Sequence, residues 1–321
     1  ETIAAFGGVS TLRIETFTVG IYDAWFWYQS YLTAAKLAGF LLIFVFLIIL
    51  ISKNFGQEKR NVAFKTAEIF EKIELKWFKQ VIISCICLLI FIIIFCIPLL
   101  QLLIWQLSDI NISLLDNIKF LFNSLIIGFL ASILTVFIAI GLSLSYRGFA
   151  RLRFLISISS SGYAIPGSVV SAGLLIGFYT LFGSSITLYG IYALLLCLSF
   201  RFMTPAFNYI SSSLTNISSS SENSLLTQPR SYYKSFIYFY FPQMKPAIFL
   251  SVLIVFIESI KEQPATLLLR PVGFDTLSTK IYNYTSEGQW EMAASPSLLL
   301  VFLCLIFVYL INKSFDHNKR Y

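Results

Sequence analysis

Residues 81–105 read VIISCICLLIFIIIFCIPLLQLLIW, twenty-five positions without one charged side chain. At a helical rise of about 1.5 Å per residue such a segment reaches roughly 37 Å, enough to cross a hydrocarbon core of about 30 Å. In lipid, backbone N–H and C=O groups have no water to bond, so a spanning segment that shows no alternation must be a helix. Six further apolar segments flank this one, over about 35–52, 118–145, 163–182, 187–208, 246–260 and 296–312. The fourth opens at Ile165-Pro166-Gly167, where proline suits a first helical turn. The expected fold class is all-α: a polytopic transmembrane helix bundle of about seven spans.

The composition of the whole chain agrees. Of 321 residues 57% are hydrophobic and 12% charged, and the mean hydropathy is +0.80. Soluble domains carry about 25% charged residues, so a water-soluble enzyme, a disordered tail and a secreted disulfide scaffold are excluded. Cys85, Cys87, Cys96, Cys197 and Cys304 all lie in apolar runs, with no zinc or redox spacing, and read as packing residues. The one histidine, His317, lies in a polar tail, so histidine-based metal or triad chemistry is not expected. No basic segment with a small-residue cleavage site follows Glu1, so a signal peptide is not expected within this sequence.

The net charge of +7 resolves into a sidedness. Lysine and arginine in residues 53–80, 146–155, 201–245 and the tail number seventeen, against six in the alternate segments. That asymmetry predicts cytoplasmic loops on the rich side and a cytoplasmic C-terminus. It removes the need for a nucleic-acid partner. Residues 53–80 place Val62, Phe70, Ile73 and Trp77 at helical spacing among charges, as in an amphipathic linker lying on a membrane surface.

Self-comparison finds a repeat. ETIAAFGGVSTLRIETFTVGIY (1–22) aligns with EQPATLLLRPVGFDTLSTKIY (262–282), Tyr22 falling on Tyr282 with one gap. A tryptophan-bearing polar stretch, an Ala-Ala pair (Ala34-Ala35, Ala293-Ala294) and a last apolar span follow each copy. The expected organisation is 1–52 as the end of a first repeat (outer loop plus last span), 53–80 as a cytoplasmic amphipathic linker, 81–312 as a second six-span domain, and 313–321 as a cytoplasmic tail. About five spans of a first half are then expected upstream. Same-orientation repeats place a pathway between equivalent elements.

Between the fifth and sixth segments a serine-rich run leads into Glu222-Asn223-Ser224-Leu225-Leu226-Thr227-Gln228-Pro229-Arg230, then SYYKSFIYFYF and Pro242. This chain resembles the permease subunits of binding-protein-dependent ABC importers, most closely the ferric-iron type, in fused two-domain form. The resemblance rests on Gly162-Tyr163-Ala164-Ile165-Pro166-Gly167 and on the string from Lys261 through Arg270-Pro271 to Gly273-Phe274-Asp275-Thr276-Leu277. It implies the type I ABC permease fold and a membrane-embedded, multi-pass chain in a bacterial inner membrane. The implied partners are ABC ATPase subunits on the cytoplasmic face, an extracytoplasmic substrate-binding protein, the missing first permease half, and membrane lipid. The family's E-A-A motif falls on Asn223-Ser224-Leu225, its glycine on Pro229 and its final proline on Pro242. The implied ATPase-coupling loop is therefore Glu222, Asn223, Ser224, Leu225, Pro229, Arg230 and Pro242, which departs from the motif at every signature position but the last.

No phosphate-binding G-x-x-x-x-G-K-[ST] loop, HExxH or G-x-S-x-G occurs. The chain is expected to be no enzyme and to carry no cofactor, with ATP bound by the partner subunit. Near the sixth span, Glu258 and Glu262 lie four apart, which places them on one face of a helix, with Lys261 three after Glu258. One reading is a Glu258–Lys261 pair at a helix end. The other is that Glu258, Glu262 and the repeat-related Glu1 line the outer mouth of a pathway, since carboxylates are hard donors suited to ferric iron. Arg270 and Asp275 are candidate contacts for a delivering binding protein, or are solvated. The alternatives in function are an ABC permease for another small solute, a secondary transporter or channel, and a non-functional fragment of a split gene.

Overall fold

The computed structural model describes residues 6–56, 76–108, 117–183, 186–218 and 232–318. They are helical in the main, with no strand among the described residues. In chain order the helices are α1 (Gly7–Thr11), α2 (Phe17–Phe26), α3 (Tyr31–Gly56), α4 (Trp77–Phe91), α5 (Ile97–Ser108), α6 (Ile118–Gly148), α7 (Arg153–Ser159), α8 (Gly167–Phe182), α9 (Ile186–Arg201), α10 (Met203–Thr215), α11 (Tyr232–Ser235), α12 (Phe241–Lys261), α13 (Pro264–Leu269), α14 (Leu277–Ser286) and α15 (Trp290–Asn318). Among the described residues five continuous helical stretches are long and apolar enough to cross a membrane, and seven are reached if each of two bent pairs counts as one span. The chain is thus an all-α polytopic membrane protein, and the two bent pairs occupy the fourth and fifth of the segments legible in the sequence.

Both bends have local causes. Residues 150–164 and 167–181 meet at 112°, and Pro166, with φ −57° and ψ 142°, stands one residue ahead of the first turn of α8 instead of inside it. The second bend, 49°, falls at Phe202 between α9 and α10. Pro205 lies in the first turn of α10. A proline ring clashes with the carbonyl four residues earlier, here that of Arg201, and offers it no N–H. The helix therefore breaks at Arg201–Phe202. Arg201, counted in the sequence with the cytoplasmic basic residues, is instead buried at this interior break, which removes it from the seventeen.

Two other expectations shift. The second span starts at Trp77, inside the expected 53–80 linker, because Trp77–Phe91 contains no helix breaker and its lysine can extend its charge past an apolar stem. The span continues through one π-turn, Ile92–Cys96, into α5, and the rest of the expected linker, 57–75, lies outside the described residues. Secondly, α12 ends at Lys261, so Glu262, with φ −65° and ψ 120°, has left the helix and does not share a helical face with Glu258.

The packed centre is formed by α6, α10 and α12, with α9 against α6 and α8 against α9 and α13. Small residues on α6 (Gly128, Ala131, Ser132, Thr135, Ala139) let its neighbours approach closely. A Cβ on Gly128 would meet Ile260 and, at 3.1 Å, Phe256 of α12. Close backbone approach through small residues is how helices associate where lipid is as apolar as the side chains. By contrast α4 is exposed along its length, as a lipid-facing helix is.

Candidate functional site at the seam of the repeat

The two segments aligned in the sequence take the same local structure. Thr16 and Thr276 are both extended N-caps, accepting hydrogen bonds from the amides of Val19 and Thr279, and each starts a ten-residue helix, α2 and α14. At the second copy the Thr276 amide in turn donates to Thr279 Oγ1 (2.9 Å), closing a reciprocal capping box. Valine at the matching position of the first copy has no hydroxyl to do so. The aligned tyrosines then meet: the rings of Tyr22 and Tyr282 lie 5.5 Å apart, edge to face. Buried Phe6 sits 5.3 Å from one and 5.4 Å from the other. Burial pushes both phenols above the usual tyrosine range.

Below this aromatic contact the chain turns out of α12. Glu262 is extended, and after one further residue Pro264 starts α13. The Glu262 carbonyl accepts from Thr266 Oγ1 (2.9 Å) and Ser278 Oγ (3.1 Å). Its carboxylate forms an ion pair with Arg201, and both side chains are more than nine-tenths buried. The guanidinium also lies 5.2 Å over the ring of Phe202. Gly167, the first residue of α8, makes room for the pair: a Cβ there would collide with the Glu262 carboxylate and stand 2.9 Å from Arg201 Nη1. Arg201 Nε and Glu262 Oε1 have no hydrogen-bond partner, nor do the buried hydroxyls of Ser168 and Ser259.

One turn earlier, Lys261 Nζ donates to Glu258 Oε1 at 2.8 Å on a half-exposed surface. Glu258 and Glu262 also line one cavity of about 370 Å3. Its wall includes Phe6, Tyr163, Arg201 and Lys261. Glu1 lies outside the described residues, but Phe6 and Gly7 bring the first copy to this wall. Sequence reasoning missed Arg201. The only signal for its position was Pro205 four residues on, in a run otherwise readable as one span.

Arg270 and Asp275 form an ion pair with each other, both about three-quarters buried. The loop between them turns at Gly273, whose φ of 82° suits glycine. Asn123 Nδ2 donates to the Asp275 carbonyl (2.8 Å), tying the loop to α6. Burial lowers the pKa of the guanidinium. The pair borders an apolar cavity of about 700 Å3 that also touches Tyr22, Trp25, Tyr179 and the exposed Val272.

Of the expected coupling loop, Glu222, Asn223, Ser224, Leu225, Pro229 and Arg230 lie outside the described residues, and Pro242 is the second residue of α12. The chain on either side of the loop is tied together: Ser213 Oγ donates to the Gln243 carbonyl (3.3 Å). Arg147, at the end of α6, donates to the carbonyls of Leu214 and Ile217, the latter at 3.1 Å.

No family model matches the chain. It is 26% identical over 326 aligned residues to the Fe(3+)-transport system permease protein FbpB 2 of Haemophilus influenzae, covering 97% of this chain and 63% of that protein. It is 32% identical over 124 residues to the ferric transport system permease protein FbpB of Actinobacillus pleuropneumoniae, covering 38% of this chain and 18% of that one. A putative ferric transport system permease protein FbpB 1 of Haemophilus influenzae matches at 31% over 130 residues, 40% of this chain and 20% of that protein. The chain spans less than two thirds of the length of each of these relatives. A repeat-bearing, all-α polytopic membrane chain with a carboxylate-lined seam is thus similar, along nearly its whole length, to a protein named as a Fe(3+)-transport system permease, and over about two fifths of it to two further proteins named as ferric transport permeases.

Proposed function

We propose that this chain is part of the permease subunit of an ATP-driven importer for ferric iron delivered by an extracytoplasmic binding protein. The observation that carries the reading is the similarity along 97% of the chain to a protein named as a Fe(3+)-transport system permease. The geometry supports it, since the aligned segments of the repeat meet beside a cavity lined by Glu258 and Glu262. Such a subunit makes and breaks no bonds. ATP is bound and hydrolysed by separate ABC ATPase subunits, which dock on Glu222 to Pro242 at the end of the bundle where Arg147, Arg151 and Arg153 gather. That end faces the cytoplasm of a bacterial inner membrane, as does the C-terminus. The binding protein docks at the opposite end, near Arg270 and Asp275. Their mutual pairing favours a role in shaping the loop that it meets.

In this reading Glu1, Glu258 and Glu262 belong to the pathway, and the Tyr22–Tyr282 contact closes it on the outer side. ATP binding in the partner, felt through the coupling loop, rocks the two halves apart around the seam. The test is uptake of radiolabelled ferric iron into proteoliposomes holding the full-length permease and its ATPase, with the binding protein outside. Uptake that requires ATP, and falls in Glu262→Gln while the ATPase still co-purifies, is the expected result. Uptake indifferent to ATP points instead to a secondary transporter or channel. Unchanged uptake in Glu262→Gln removes that residue from the pathway.

A further inference from the structure

The turn out of α6 carries two exposed arginines that the chain does not neutralise. α6 has 31 residues, about 46 Å at the helical rise. That exceeds a hydrocarbon core of about 30 Å and matches the roughly 40–45 Å that includes the headgroup layers. The chain leaving Gly148 therefore starts at headgroup level. From there residues 150–164 run at 112° to residues 167–181, the limb that enters the membrane, and so lie close to the membrane plane. Within the first limb α7 has two faces. Ile156 and Ser160 are buried against the protein. Phe154, Leu155 and Ile158 fall within about a third of the helical circumference on the other side, and all three are exposed, as are Phe149 and Leu152 in the turn before them.

Arg153 stands at the edge of the exposed face. Its Nε donates to the Tyr146 carbonyl (3.2 Å), and its guanidinium lies 5.6 Å over the Tyr146 ring. These contacts hold an exposed side chain in place and leave its terminal nitrogens without a partner among the described residues. Arg151, also exposed, has no hydrogen bond or ion pair among them. The sequence offers neither arginine a nearby acid, since no aspartate or glutamate occurs between Asp116 and Glu222. A planar guanidinium matches the oxygens of a phosphate, and an apolar helix face beside basic residues lies at the boundary of headgroups and acyl chains.

We propose that Arg151 and Arg153, with the exposed face of α7, form a site for one anionic phospholipid. The phosphate takes the arginines, and the acyl chains run along Phe154, Leu155 and Ile158. A soluble polyanion or an acidic protein surface would use the arginines and leave that apolar face bare, which is why lipid is the better occupant. The site does not depend on what the permease carries, so it stands or falls apart from the iron reading.

The test uses full-length permease in detergent, titrated with phosphatidylglycerol and, separately, with phosphatidylcholine, bound lipids being counted by native mass spectrometry. The expected result is one phosphatidylglycerol bound more tightly than any phosphatidylcholine. Arg151→Gln with Arg153→Gln should weaken it roughly fivefold for each arginine and leave phosphatidylcholine unchanged. Equal affinity for the two lipids, or an unaltered preference in that variant, overturns the proposal. Phe154→Ser with Ile158→Ser should weaken both lipids alike; no change there overturns the placement of the chains. Displacement of the bound lipid by an equal concentration of glycerol phosphate would make this a site for soluble phosphate and overturn the lipid assignment. Loss of ATPase co-purification in the arginine variant, with its preference for phosphatidylglycerol intact, would give the arginines to a protein partner and overturn it as well.

Discussion

Glu258 and Glu262 stand one turn apart in sequence and in two different solvents. Glu258 is still on α12, its lysine partner on the same helix and both partly wet. Glu262 is past the end of that helix, and its partner comes from the break between α9 and α10. The first pair gains little, since exposed ion pairs contribute about 0–1 kcal/mol. The second is dry, so each ion depends on the other for its tolerance of burial, and removing one leaves a buried charge alone. Spacing along a helix therefore says little about a carboxylate; whether the helix continues under it says a great deal.

The largest test of this contrast is Arg201→Ala. Loss of one member of a buried pair should destabilise the protein by about 3–5 kcal/mol, read as a lowered Tm in detergent or lipid. Replacing both members, Arg201→Met with Glu262→Leu, should recover most of that stability. A double variant as unstable as the single one would mean that packing around Phe202, and not the charge, is what matters.

Gly167→Ala comes next. The added methyl collides with the Glu262 carboxylate, and overpacking typically costs about 1–3 kcal/mol. The same substitution in an Arg201→Met, Glu262→Leu background should change that cost, since the atoms it strikes are gone, and a double-mutant cycle measures the coupling. Additivity within about 0.5 kcal/mol would separate Gly167 from the pair.

Glu258→Gln should shift stability by less than about 1 kcal/mol, with Tm close to that of the parent. If it matches Arg201→Ala, the contrast between the two carboxylates fails. The smallest effect is expected at the Tyr22–Tyr282 contact near neutral pH. Burial raises the pKa of Tyr22 and Tyr282 above the usual 10. The folded chain therefore holds those protons more tightly than the unfolded chain. Stability from the contact is complete below pH 10 and declines as pH rises from 10 through the folded values. Ultraviolet titration of the phenols should show two late-ionising tyrosines, both lost in Tyr22→Phe with Tyr282→Phe.

Much of this was legible before any coordinates. Runs such as 81–105 announce helices in lipid because hydropathy adds along a chain. The match of 1–22 to 262–282 has its counterpart in two Thr-capped helices, because capping is a local reaction between a hydroxyl and an amide three residues on. What escaped were the contacts that join distant segments. Arg201 looked like a residue of a basic loop, since its neighbours Ser199 to Thr204 carry no mark of depth, and only the ring of Pro205 against its carbonyl turns the helix there. Trp77 looked like part of a surface linker because its flanking lysines mask a helix that runs on into the span.

By itself the sequence determined that this is an all-α membrane chain, where most of its spans lie, that part of it is duplicated, and which relatives it has. Those properties follow from local composition and from order along the chain. The tertiary structure alone decided that Tyr22 meets Tyr282, that Arg201 neutralises Glu262, and that Gly167 makes the space for them. Each of these depends on where one helix ends relative to another. The energy of a buried charge is set by whatever arrives beside it, which no reading of its own neighbours can supply.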